Sequence, residues 1–136
     1  MLLAWNTAQG SIYTPQECRA VEIDPGVFRV ICSTGHRDAA TQTVDSPPVP
    51  TDLIAVVTAD GISEMTFRYG SLDFNHVGDP FTAWMGVNHS SYLEDIGFGN
   101  WATVEEAKAN GLLTAQYAAE WATYLTENGC TYLDGC

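Results

Sequence analysis

Residues 52–69 read DLIAVVTADGISEMTFRY, and this stretch decides the fold class of the chain. An almost continuous apolar run, Asp52 to Ala59, leads into Asp60-Gly61, and the alternating run Ile62 to Tyr69 follows. Asp-Gly is the pair that a two-residue type I′ turn prefers, because both positions of that turn need a positive φ. The stretch therefore predicts a β-hairpin that turns at Asp60-Gly61.

A second hairpin is predicted upstream, where two β-branched runs, Cys18–Ile23 and Val27–Cys32, flank the turn residues Asp24-Pro25-Gly26. If the chain turns about Pro25, Cys18 and Cys32 lie directly opposite each other on adjacent strands. Two alternatives stay open for them, a disulfide or a pair of small buried thiols. Cys130 and Cys136 are flanked by glycine residues and could also bridge.

The remaining segments are helical in pattern. Met1–Gln9 predicts a short helix, and Asp79–His89 predicts a helix with Pro80 at its first position. A capping box at Thr103–Glu106 predicts a short helix that ends at Asn110-Gly111, before a further helix over 112–127. The Pro-rich stretch 45–50 is expected to be a loop.

Strands followed by helices, rather than alternating with them, predict a single α+β domain over residues 1–136. We expect a curved antiparallel sheet of two hairpins that is packed on one face by helices.

Composition excludes several functional classes. The chain has 136 residues, of which 46% are hydrophobic and 16% charged, so it is not a disordered chain. A net charge of −12 argues against a nucleic-acid or anionic-membrane partner. No apolar run is long enough for a membrane helix, and residues 1–10 lack the basic region of a signal peptide, which predicts a cytoplasmic protein.

Several of these segments resemble the nuclear-transport-factor-2-like (SnoaL-like) superfamily over residues 13–90. The similarity lies in the sheet and the stretch after it: Tyr13, Glu17-Cys18, Phe28–Cys32, Asp38, Ala59–Ile62, Leu72–Phe74, Phe81 and Trp84. The resemblance implies a cone-shaped sheet, here truncated because the N-terminal segment is short and the chain ends in helices. Its members range from isomerases and dehydratases to non-catalytic binding proteins, so the resemblance alone does not assign an activity.

Candidate acid–base residues follow the predicted strands. His36 and Asp38 form one pair, and a second polar cluster contains Asp73, His76, Asp79 and His89. For each of these the alternative is a surface-loop residue or a helix cap. The four cysteines lack the spacing of a zinc site, so no metal and no cofactor is expected.

Apolar side chains of the second hairpin and the following helix are predicted to line a cavity. In the hairpin geometry above, Ile54 pairs with Phe67 and Val56 with Met65, so all four share one face. The predicted ligand-binding residues are Ile54, Val56, Met65, Phe67, Phe81, Trp84 and Met85. The alternative is that they form only the hydrophobic core.

Two functional classes follow. The first is a pocket protein that binds a small apolar molecule, extending to a lyase or isomerase that acts on a carbonyl-bearing compound. In such an enzyme, the general base would be His36, Asp38 or Asp73. The Tyr69 hydroxyl would donate a hydrogen bond to the oxyanion that develops on the substrate. The second is a non-catalytic binding or interaction protein that uses its acidic helical half or a sheet face.

The other face of the second hairpin predicts a homodimer. In the same geometry, Leu53, Ala55 and Val57 lie opposite Arg68, Thr66 and Glu64. A strand that is apolar on both faces must be buried on both. A second copy of the chain could bury the face that the helices leave exposed.

Overall fold

The fold is described from a computed structural model, which covers residues 1–69, 75–95, 100–134 and 136, without the side chains of residues 69, 75, 76 and 93–95. In chain order the elements are α1 (Leu2–Ala8), β1 (Ile12–Asp24), β2 (Val27–Arg37), α2 (Ala39–Thr43), β3 (Val49–Thr58), β4 (Gly61–Tyr69), α3 (Asn75–Asn88), α4 (Ser90–Asp95) and α5 (Val104–Asn128).

The α+β class is confirmed. The four strands form one curved, unclosed sheet in the order β1-β2-β3-β4, with β3 antiparallel to both of its neighbours. The chain divides into two compact units. A helical unit contains residues 1–11, 37–47 and 75–136, and a sheet unit contains residues 12–36 and 48–74.

The predicted strands of the second hairpin are present, but the predicted pairing is wrong. Leu53 pairs with Phe67 and Ala55 with Met65, so these residues, rather than Ile54 and Val56, share the face of Met65 and Phe67. The outward set proposed for the homodimer is therefore also wrong, since Ala55 is buried.

Two local features cause this change. The two-residue turn is Ala59-Asp60, followed by Gly61 at φ +118°, which moves each partner by two residues and preserves the predicted faces. Ser63 then has no partner in the register, because Val56 pairs with Glu64 while Val57 pairs with Ile62. This bulge moves the partners back by one residue, so the net difference from the predicted pairing is one residue. A one-residue slip exchanges the two faces of a strand.

The first hairpin is formed as predicted, and it resolves the open alternative for its cysteines. Cys18 and Cys32 are joined by a disulfide across β1 and β2, with their Cα atoms 4.0 Å apart. Cys130 and Cys136 form a second disulfide, which closes a short loop after α5. The described residues contain no free cysteine.

Two predicted helix boundaries are wrong. The helix α3 begins at Asn75, so Pro80 lies inside it rather than at its first position. The two helices expected on either side of Asn110-Gly111 are one continuous helix, α5, which starts at the predicted Thr103–Glu106 capping box and ends at Gly129 with φ +65°.

The continuity of α5 has a packing reason. Both Asn110 and Gly111 are buried, and α1 lies directly against them. A Cβ at position 111 would come within 2.5 Å of the Trp5 carbonyl oxygen and 2.8 Å of the Ala8 Cβ. The glycine therefore permits a close helix crossing instead of ending the helix.

The core of the helical unit is built where α3, α4 and α5 meet, with contributions from α2. Its largest fully buried side chains include Trp121, Met85 and Val77, and Phe81 and Leu125 pack in the same cluster.

The short helix α2 was not predicted. It begins after Asp38, whose carboxylate caps it. The Pro-rich loop is shorter than expected, because Val49 and Pro50 already belong to β3.

Candidate ligand-binding site

A cavity of about 340 Å³ opens in the helical unit, bordered by α3, α5 and the disulfide-closed segment that follows α5. Its wall is mostly aromatic and aliphatic. Trp84 and Val87 come from α3, Trp121 and Tyr124 from α5, and Tyr132 from the segment after it. Ligand sites in proteins are commonly clefts of 300–1,000 Å³ with this kind of lining.

Helical periodicity places these side chains on facing surfaces. On α5, Tyr124 and Leu125 follow Trp121 by three and four positions, so both lie on the same side of the helix as Trp121. Trp84 of α3 packs into the same region, with ring centroids 6.3 Å from those of both Phe81 and Tyr124. Phe81 in turn lies 5.3 Å from Trp121, which joins the cavity wall to the core.

The remaining wall of the cavity is formed by the segment that follows the end of α5. Gly129 adopts a left-handed conformation, and the Cys130 amide donates to the Leu125 carbonyl at 2.9 Å, which reverses the chain. The segment then holds itself with a hydrogen bond of 2.6 Å from the Thr131 hydroxyl to the Asp134 carboxylate. Thr131, Tyr132 and Cys136 all line the cavity.

The polar groups of the wall are few. The side-chain amide of Asn88 donates to the Trp84 carbonyl at 2.9 Å, and the Trp84 indole N–H is buried without an acceptor among the described residues. Within the described part of the chain, no carboxylate, histidine, lysine or arginine lines this cavity. The arrangement can therefore bind an organic group by burial and aromatic contact, but it presents no acid–base pair.

The predicted helical ligand residues divide into two groups. Trp84 lines the cavity, whereas Phe81 and Met85 lie in the core behind it, with Met85 fully buried. Sequence reasoning missed Trp121, Tyr124 and Tyr132. A signal for the first two was present in the apolar spacing of residues 113–125, but no periodicity marks Tyr132.

The predicted sheet residues lie in the other unit. Met65 and Phe67 share one face of β4, and the bulge places Ile54 and Val56 of β3 on the opposite one. The structure therefore does not bring these four residues together on one surface.

The predicted pair His36 and Asp38 is divided between the two units. His36 is buried in the sheet unit and stacks on Tyr13, with ring centroids 4.5 Å apart. The Asp38 carboxylate accepts hydrogen bonds of 2.8 Å from both the backbone N–H and the hydroxyl of Thr41, as the N-cap of α2. Asp73 and the side chains of Tyr69 and His76 lie outside the described residues.

His89, which lies between α3 and α4, contacts Tyr117 and Glu120 of α5, and the sequence predicted only part of this arrangement. His89 Nε2 lies 2.9 Å from Glu120 Oε2, and the His89 ring stacks on Tyr117 at a centroid distance of 3.8 Å. Gln116 donates to the other Glu120 oxygen at 2.9 Å and so orients the carboxylate. The sequence grouped His89 with Asp79 rather than with Glu120, which is distant in the chain.

A buried polar network joins α1, α4 and α5. The Asn110 side-chain oxygen accepts from the Trp5 indole at 2.9 Å and from the Tyr92 hydroxyl at 3.0 Å, and Tyr92 also bonds Thr114. Burial raises the pKa of Tyr92 above its ordinary value of 10.0, only partly opposed by the bond to Thr114. The network pairs the Asn110 side-chain oxygen and the Thr114 hydroxyl, both of which α5 buries.

A second, polar cavity of about 310 Å³ lies on the sheet unit. Thr34, Thr51, Asp52 and Arg68 are among its lining residues. Arg68 pairs with Asp52 on the neighbouring strand at 3.5 Å, so it already has a carboxylate partner within the chain. This pair is largely exposed, and such pairs contribute little to stability.

Among the described residues, no helix is both long and apolar enough to cross a membrane, and no group of three or more His, Cys, Asp or Glu side chains could hold a metal ion. Comparison with known proteins returned no match among protein-family models, curated proteins or solved structures.

Proposed function

We propose that the chain is a non-catalytic binding protein for a small, largely apolar organic molecule, which occupies the cavity of the helical unit. The observation that carries this proposal is the aromatic wall formed by Trp84, Trp121, Tyr124 and Tyr132 around a space of about 340 Å³. Aromatic side chains provide large apolar contact areas and lose little conformational entropy when a ligand binds.

The chemistry of the wall supports binding rather than turnover. A lyase or isomerase needs a titratable group within reach of the bound compound. The described wall contains none of the predicted bases, and Asp38 is engaged as a helix cap. Catalysis through His36, Asp38, Asp73 and Tyr69 therefore stays a prediction without support from this cavity.

Titration with N-phenyl-1-naphthylamine, an uncharged probe that fluoresces in apolar sites, tests the proposal. We expect saturable fluorescence with a stoichiometry of one, together with quenching of tryptophan emission. Ala83→Trp should abolish it, because Ala83 lines the cavity and a large side chain there fills the space.

Thr82→Trp is the matched control. Thr82 is exposed on the same helix and does not line the cavity, so this variant should bind the probe like the parent protein. Absence of saturable binding, or equal binding by the Ala83→Trp and Thr82→Trp variants, would contradict the proposal.

Two broader predictions accompany this function. The resemblance to the nuclear-transport-factor-2-like superfamily stays a proposal, with the curved antiparallel sheet as its support. Localisation in the cytoplasm also stays a prediction. The two disulfides argue against it, because disulfides are rare in cytoplasmic proteins. Subcellular fractionation with non-reducing peptide mapping tests it.

A further inference from the structure

The cavity combines aromatic walls with a strongly acidic surrounding sequence. Four aromatic side chains contribute to the wall, two indoles and two phenols. The faces of such rings carry negative electrostatic potential and attract organic cations, most strongly when the site is shielded from water.

The segment of chain that supplies the cavity wall is predominantly acidic. Residues 75–136, which supply every lining residue, contain eight acidic side chains and one basic side chain, Lys108. One acidic group contacts a residue of the wall: the Asp134 carboxylate accepts a hydrogen bond of 2.6 Å from the lining residue Thr131. A negative field of this kind raises the local concentration of cations and disfavours anions.

We propose that the molecule bound in the cavity is an organic cation of the quaternary-ammonium type, held by its apolar substituents against the aromatic wall. This inference rests on the proposed function and specifies its ligand class. A buried carboxylate is unnecessary for such a ligand, because the rings supply the attraction while the alkyl groups on nitrogen are buried as apolar surface.

Choline and its uncharged isostere 3,3-dimethylbutan-1-ol differ in replacing the ammonium nitrogen by carbon, and this pair tests the charge. The indole N–H signals in ¹H–¹⁵N NMR spectra provide the readout. Trp84 and Trp121 line the cavity, whereas Trp5 and Trp101 stack on each other with centroids 5.6 Å apart and serve as internal references. We expect choline to shift the first two signals and to bind roughly threefold to tenfold more tightly than the isostere.

Two variants test the role of the rings. Tyr132→Leu removes one ring and should reduce choline affinity about threefold, with little change for the isostere. Tyr132→Phe keeps the ring and should bind choline like the parent.

Raising the salt concentration from 50 to 500 mM should leave the preference for choline largely in place, since only interactions of exposed charges are strongly screened.

The outcomes separate the two proposals. Equal or tighter binding of the isostere overturns the cation inference, and if N-phenyl-1-naphthylamine still binds, the proposed function stands. Loss of the choline preference at 500 mM salt also overturns it, because exposed carboxylates rather than the rings would then be the cause. Absence of binding by both choline and the naphthylamine overturns both proposals.

Discussion

Gly111 is the residue at which the absence of one methyl group permits two helices to touch. A Cβ there would lie 2.5 Å from the Trp5 carbonyl oxygen and 3.1 Å from the Gln9 nitrogen, both of which belong to backbone that cannot rotate away. Gly78 on α3 is different, since no described atom lies within 4 Å of a Cβ at that position.

These two glycines form a matched pair for mutagenesis. Gly111→Ala should lower the free energy of unfolding by about 1–3 kcal/mol, because overpacking the crossing outweighs the better helix propensity of alanine. Gly78→Ala should leave stability unchanged or raise it by up to about 1 kcal/mol. Urea unfolding followed by circular dichroism measures both, and a Gly111→Ala variant as stable as the parent would show that α1 is not packed at this crossing.

Ionisation of the buried Tyr92 makes the free energy of unfolding depend on pH in the alkaline range. Its folded-state pKa is raised by burial, so between pH 10.0 and that higher value the unfolded chain releases a proton that the folded chain keeps. The stabilisation from neutral Tyr92 is therefore fully present below pH 10.0 and is lost as the pH rises through the folded-state pKa.

The variant Tyr92→Phe isolates this contribution. At pH 8 it should unfold more easily by about 0.5–1.5 kcal/mol, since its bonds to Asn110 and Thr114 are lost. The difference from the parent should narrow as the pH rises above 10.0 towards the folded-state pKa of Tyr92, because phenylalanine does not ionise. A difference that stays constant across this range in urea titrations would show that Tyr92 is not the group responsible.

The hairpin β1–β2 depends on its cross-strand disulfide more than on burial. All residues of β1 except Tyr13 are exposed, so packing contributes little to this strand. The disulfide between Cys18 and Cys32 restricts the unfolded chain over a separation of 14 residues.

Replacing both Cys18 and Cys32 by serine should lower the free energy of unfolding by about 2–4 kcal/mol. The control is the double serine variant of Cys130 and Cys136, in which a separation of only 6 residues predicts a smaller loss. Chemical denaturation of both variants without reductant gives the comparison, and equal losses would contradict the dependence on loop length.

For the molecule as a whole, we expect the second disulfide to connect redox state with the proposed ligand binding. Thr131, Tyr132 and Cys136 form one wall of the cavity, and the disulfide between Cys136 and Cys130 holds this segment closed. Without that bond the segment must be ordered at the moment of binding, which weakens affinity.

We therefore expect the double serine variant of Cys130 and Cys136 to bind N-phenyl-1-naphthylamine roughly three- to tenfold more weakly. The double serine variant of Cys18 and Cys32 should bind it like the parent, since neither residue lines the cavity. Fluorescence titration of the two variants decides the point; equal affinities would show that the closed loop does not shape the site.

Self-association also concerns the whole molecule, and the homodimer stays a prediction. The sheet unit exposes apolar side chains, including Val21, Phe28 and Ile62. Sedimentation at tens of micromolar should give twice the monomer mass of 14.8 kDa. A mass equal to one chain would exclude the dimer.

Local chemistry was sufficient for much of the fold. Turn residues, β-branched runs and a capping box act over a few positions, so both hairpins, the start of α5 at Thr103 and the opposition of Cys18 and Cys32 could be predicted from the residues alone. The same locality placed Trp84 on an apolar helix face, and Trp84 lines the cavity, while its role in ligand binding stays a prediction.

Features that depend on distant partners could only be read from the tertiary structure. The bulge at Ser63 exchanges the faces of β4 relative to β3, and the preceding turn residues do not encode it. Asn110-Gly111 has the composition of a helix end, yet α1 buries it and the helix continues. The cavity combines α3 with Tyr132 beyond the α5 terminus, and a pocket between segments far apart in sequence follows from packing rather than from periodicity.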